Sequence, residues 1–147
     1  MKPFAYSFLV YLHVVGAIFA IGPYAVFFYL MRQLKKAETG HLPEHFSLLR
    51  FVVWVSKHAG HVLVITGVLL WWLGGFSLFT SWILIPVIIL FSGLFFLARA
   101  FSPVINALEK GEINRDAGMI KLRTSLYGYL MILLISMWFM IAKPVLW

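Results

Sequence analysis

The chain has no cysteine, and only five acidic side chains stand against twelve Lys and Arg in 147 residues. Without cysteine there are no disulfides, no thiolate metal ligands and no cysteine nucleophile. Charge of either sign is scarce at 12% of residues, whereas 63% are hydrophobic and the mean hydropathy is +0.95. A soluble domain this small leaves much of its surface wet and could not hide so much apolar side chain. The composition therefore describes an integral membrane protein, read as one domain over residues 1–147. Phe4 to Met31 contains no charged side chain at all, a run of about 28 residues where a membrane-crossing helix needs roughly 20. That is too long for the roughly 7–15-residue apolar core of a secretory signal, and it lacks a small-residue cleavage pattern.

Four apolar segments recur, at about 4–31, 58–76, 82–98 and 126–142. Backbone in lipid must satisfy its own hydrogen bonds, and the alternation a barrel strand needs is absent, so these are helices. Gly74–Gly75 and Ser77–Thr80–Ser81 mark a short turn between spans two and three. Arg32, Lys35, Lys36, Arg50 and Lys57 lie in or beside the first connection, and Arg99, Lys110, Arg115, Lys121 and Arg123 in or beside the third. Only Lys2 and Lys143 sit on the opposite side, where Trp71, Trp72, Trp82, Trp138 and Trp147 form an aromatic belt. The expected fold is all-α: a four-transmembrane-helix antiparallel bundle, N-out/C-out, in a bacterial inner membrane. The net charge of +7 hugs span ends and carries no base-reading motif, so nucleic acid is not an expected partner.

Pro43 suits the first position of a helix, and a helix running on to Leu73 would be about 46 Å long, so its first turns should leave the membrane. Ser102–Pro103 reads as an N-cap with proline following, and Gly111 as an end signal. His13, Gly16, Ala17, Ala20 and Tyr24 share one stripe of span one, where small residues allow close helix approach. Gly60, Gly67 and Gly74 repeat every seven residues along span two, a second close-packing seam, and a homodimer packed through these seams is expected. Ser92 and Arg99 on span three, and Ser125, Tyr129 and Ser136 on span four, are expected to give a modestly polar interior with cations toward the cytoplasmic mouth.

Histidine is the strongest chemical signal. An ionisable group inside a span costs free energy and marks a functional site by default. Imidazole is the commonest metal ligand, and bundles build cofactor sites from facing helices. His13 is the first-choice ligand and His61 the second, with His58 about 4.5 Å nearer the cytoplasm as the poorer partner. Counted from the outer ends, His13 and His61 differ in depth by about 5 Å; counted from Arg32 and Arg50, by about 12 Å, which would separate them. Arg99, Arg32 or Lys57 would pair the propionates of a haem, and Met131 or Met137 are alternative axial ligands. His41-Leu-Pro-Glu44-His45 matches the H-x-x-E-H zinc-peptidase string, but Pro43 starts a helix between the two histidines and removes the required geometry. Solvated loop residues are the simpler account of that string, ahead of a surface metal site.

The pattern Tyr11-Leu12-His13-Val14-Val15-Gly16-Ala17, the Gly22-Pro23 step and the closing Arg32 resemble the first helix of a family of small bacterial four-helix membrane proteins of unknown function. Ser81-Trp82-Ile83-Leu84 and Lys143-Pro144 look similar too, so the resemblance covers most of the chain. That group is distantly similar to the HemJ-type protoporphyrinogen oxidases and the CopD-type copper domains, which also begin with a histidine in the first helix. The resemblance implies a haem b cofactor and a ligand role for His13. The chain departs from the pattern in lacking a second histidine after the arginine that ends helix one, so haem association carries over and oxidation of protoporphyrinogen does not. The expectation is a membrane haem b protein for electron transfer, haem handling or sensing, with His13, His61, Arg99, His58 and Tyr129 at the cofactor and His13 and His61 on the metal. Its alternatives are a scaffold or small transport component with structural histidines, and a copper module.

Overall fold

The computed structural model describes residues 2–36 and 42–147, and every regular element among them is helical. The helices are α1 (Lys2–Ile21), α2 (Pro23–Lys36), α3 (Leu42–Gly74), α4 (Ser81–Ala100), α5 (Ser102–Glu109) and α6 (Arg115–Ala142). Four stretches, Pro3–Lys36, Pro43–Gly74, Ser81–Glu109 and Arg115–Ala142, are long and apolar enough to cross a membrane. The expected span from 4 to 31 is broken into two helices, because Pro23 has no N–H to continue the ladder of α1 and its ring favours a fresh helix start. Gly22 closes α1 by donating to the Ile18 carbonyl. Across that break, the Ser56 hydroxyl from α3 donates to the Ala20 carbonyl at 2.8 Å. A neighbouring helix thus supplies a bond to backbone at the break, which is how lipid-embedded proline steps are tolerated.

Helix α3 runs uninterrupted for 33 residues, about 50 Å at 1.5 Å per residue. It begins at Leu42, one residue before Pro43, and so projects beyond a bilayer core of about 30 Å. Arg50 on this projecting part donates to Asn106 Oδ1 at 2.7 Å and pairs with Glu109, tying the short α5 across the same end of the bundle. Helix α5 starts one residue earlier than the sequence suggests, with Phe101 at the N-cap position and Ser102 and Pro103 as its first two residues, because Phe101 brings no capping side chain and proline is tolerated within the first turn. Gly111 then takes φ +71°, a left-handed turn that a side chain would strain.

The main core lies in the half of the bundle toward these connections. Tyr24, Phe27, Phe101 and Tyr129 form an aromatic knot with ring centroids 5.1–6.2 Å apart, walled by Leu34, Leu49, Leu97, Ile105, Leu122 and Leu126. The opposite half is thinner, with Ala20, Ala59 and Leu63 as a small second cluster between α1 and α3. At that far end the C-terminal tail is stapled to the α3–α4 turn. Ser81 Oγ donates to the Pro144 carbonyl and accepts the Leu146 N–H, and Trp147 Nε1 donates to the Phe79 carbonyl.

Two sequence expectations about facing are corrected here. Gly60 and Gly67 do not form one seam for a partner. Gly60 faces Leu94 of α4, Gly67 faces the His13 ring of α1, and Gly16 faces Ala59, Val62 and Leu63, so the small residues are spent on packing inside the chain. Ser92 and Arg99 do not line the interior. Both are exposed, Ser92 bonding its own Ile88 carbonyl and Arg99 lying over the Phe95 ring, while Gly93 and Leu97 turn inward. A long charged side chain near a span end gains by reaching along its own helix toward water.

Candidate histidine site on the third helix

His13 lies half-buried between α1 and α3, and its Nδ1 is 2.9 Å from Thr66 Oγ1. Thr66 spends its only proton on α3 itself, at 2.7 Å from the Val62 carbonyl and 3.2 Å from that of Leu63. The hydroxyl can therefore only accept from His13, which puts the imidazole proton on Nδ1. Gly67 makes the seat: a Cβ built there would lie 3.3 Å from His13 Cε1. The intramembrane imidazole thus has a partner, but that partner is a threonine and not a second histidine.

His61 is elsewhere. Thr66 and Gly67 stand five and six residues beyond it on α3, which is about 8 Å along the axis and about half a turn around. His13 is inward against Thr66, while His61 is exposed. The structure does not bring His13 and His61 together within one chain. His58 and His61 do lie together, with ring centroids 6.2 Å apart. Their Nδ1 atoms lie 2.8 Å from the Trp54 carbonyl and 2.7 Å from the Lys57 carbonyl. A carbonyl can only accept, so both rings carry their proton on Nδ1, and no hydrogen bond to either Nε2 occurs among the described residues. This is the arrangement in which metal-ligating histidines are usually held, the far nitrogen fixed by a backbone carbonyl and the near one left basic.

Around these two rings the surface is shaped by α1 and α3. A groove of about 320 Å³ is lined by Leu12, Val15, Gly16 and Phe19 from α1 and by Trp54, Val55, His58, Ala59 and Val62 from α3. His58 is its one ionisable side chain, and the Trp54 ring packs against the imidazole at 4.2 Å. Lys57 is exposed on the adjoining turn. A donor nitrogen, a flat aromatic neighbour, apolar walls and a nearby cation together suit a planar apolar macrocycle with acidic substituents. They suit a bare divalent cation less well, because Lys57 adds like charge and no carboxylate is near; no group of three metal-ligating side chains occurs among the described residues.

The remaining candidates are placed apart from this site. Tyr129 is buried in the aromatic knot, its ring 5.1 Å from that of Tyr24. Arg99 is on α4 over Phe95, and Met131 and Met137 are exposed on α6. Glu44 and His45 occupy the first turn of α3, and His41 lies outside the described residues. Sequence reasoning passed over Thr66, Trp54 and Ser56. Thr66 and Ser56 could have been sought as the polar residues of span two spaced to meet His13 and the Gly22–Pro23 break. No family model matches the chain, and neither a curated protein nor a solved structure matches it.

Proposed function

We propose that this is a small multi-pass protein of the bacterial inner membrane that binds haem b at the outward histidines of α3. In this reading the four spans run antiparallel with both termini outside. Contacts of Ala20 with Ser56, Gly16 with Leu63 and His13 with Thr66 support that sense for α1 against α3. The cations at the connections support the orientation. His58 would hold the iron, Trp54 and the α1–α3 groove would receive the ring, and Lys57 would pair a propionate. Haem bound there would supply a one-electron couple, tuned by the imidazole and by the apolar surroundings. The chain's own contribution is to fix His58 by its Nδ1–H bond to Trp54, to exclude water with the apolar groove walls, and to offset carboxylate charge with Lys57.

The observation that carries this reading is the pair of Nε2 atoms that no described residue engages, on the exposed face of α3 where His58 borders the groove. His13, by contrast, is read as a packing clasp between α1 and α3. The test is the absorption spectrum of the detergent-purified protein, before and after reconstitution with haem. A Soret band that survives His13→Leu and disappears in His58→Ala is expected. A wild-type protein with no Soret band after reconstitution would remove the haem reading. The alternative of a scaffold with structural histidines draws on the His13–Thr66 bond, and it predicts no band under any condition.

A further inference from the structure

We propose that the bundle binds one water molecule inside its aromatic knot, held by the hydroxyls of Tyr24, Ser56 and Tyr129 beside the Gly22–Pro23 break. Three helices bring these groups together: Tyr24 stands on the first turn of α2, Ser56 on α3 and Tyr129 on α6. All three side chains are shut off from the surface. The Tyr24 and Tyr129 hydroxyls neighbour each other, and both neighbour Ser56 Oγ. Yet the Tyr24 oxygen is buried without closing a hydrogen bond to any described residue.

Counting protons shows what the cluster needs. Ser56 spends its only proton on the Ala20 carbonyl at 2.8 Å, so toward the tyrosines it can only accept. Each phenol has one proton to give and can also accept. A buried hydroxyl that does neither forfeits its hydration with nothing in return, and folded proteins rarely keep one without an ordered water or ion beside it. Water both donates and accepts, and a buried water is typically held by about three polar groups. That is the number gathered here. A cation fits less well, because the described carboxylates, Glu44, Glu109, Glu112 and Asp116, stand at helix ends or between helices and bring no charge to the knot.

The position in the span points the same way. Arg32, the first charged residue beyond Tyr24, stands about 12 Å farther along α2, so the hydroxyls lie within the apolar stretch that bulk water does not serve. Pro23 also leaves the Phe19 carbonyl without an N–H four residues on. Proline breaks within lipid are made tolerable by serine or threonine from a neighbouring helix and by ordered water. Ser56 already supplies the first of these at Ala20, and the tyrosine hydroxyls beside it supply a seat for the second.

The experiment uses the full chain in lipid nanodiscs, exposed to brief X-ray radiolysis in heavy-oxygen water and read by mass spectrometry of its peptides. Radicals formed from a bound water modify the side chains that touch it. Heavy oxygen should enter Tyr24 and Tyr129 and spare Phe27, which is equally buried in the same knot. Tyr24→Phe keeps a reactive ring and removes one of the three hydroxyls, so label at both positions should fall several-fold. The same variant should lower the thermal unfolding midpoint, because it takes away a hydroxyl that the water satisfies. Label on Tyr24 no higher than on Phe27 overturns the water site. So does an unchanged or raised midpoint for Tyr24→Phe, which would mean that the hydroxyl has no partner. A lowered midpoint without label on Tyr24 would mean that the three hydroxyls bond directly to one another, and it overturns the site as well.

Discussion

The His13–Thr66 bond can be tested by a double-mutant cycle whose size follows from its surroundings. Thr66→Val keeps the branched shape at position 66 but removes the hydroxyl that His13 Nδ1 meets at 2.9 Å. His13→Leu removes the donor. Interhelical hydrogen bonds within membranes are worth about 0.6 kcal/mol on average and up to about 1.7 kcal/mol, because the separated helices also find partners. This bond joins a half-buried ring to a buried hydroxyl across the α1–α3 interface, some distance from the other polar contact there, Ser56 to the Ala20 carbonyl. A coupling near 1 kcal/mol is therefore expected, on the order of the upper half of that range. Reversible unfolding in mixed micelles, followed by tryptophan fluorescence, measures it. The seat gives a second handle. A Cβ on residue 67 would sit 3.3 Å from His13 Cε1, so Gly67→Ala should cost little and Gly67→Val should cost more. His13→Ala should relieve most of the Gly67→Val penalty by vacating the space. Additivity of Thr66→Val and His13→Leu to within about 0.3 kcal/mol would refute the clasp, as independent sites behave that way.

Two further outcomes follow from the fold. Ser56→Ala leaves the Ala20 carbonyl without the hydroxyl that reaches it at the Gly22–Pro23 break. A loss of about 1–3 kcal/mol is expected in the same unfolding assay, the cost of an unsatisfied buried acceptor; an unchanged midpoint would mean the break needs no such bond. For the orientation, Leu78→Cys in the α3–α4 turn should react with a membrane-impermeant maleimide on intact cells, and Glu112→Cys between α5 and α6 only after permeabilisation. The reverse labelling pattern would overturn the N-out/C-out arrangement.

The spans were legible because lipid leaves few options: four apolar stretches bounded by glycine, proline and cations can only be helices. The ends of the elements were less so. Gly22–Pro23 announces a break, yet composition alone does not say whether the chain bends, kinks or starts a new helix there. What decides it is the missing Pro23 N–H together with a serine on another helix, 36 residues away. The start of α3, by contrast, was legible, since Pro43 placed it within one residue of Leu42, and Arg50 holds the projecting turns to α5.

Facing was the hardest to extract, for a physical reason. In water the polar face of a helix points outward, so periodicity reveals which side is buried. A membrane helix is apolar nearly all round, and lipid-facing and protein-facing stripes then share one chemistry. On α1 the small residues resolved the ambiguity, because Gly16, Ala17 and Ala20 are useful only where another helix comes close. On α3 that same logic fails. Its glycines face two different partners, Leu94 and His13, and so outline no single buried side. His61 was consequently expected beside His13, and it lies instead with His58 on another side of α3. Both are exposed, each with its Nδ1 bonded to a carbonyl of its own helix four residues back.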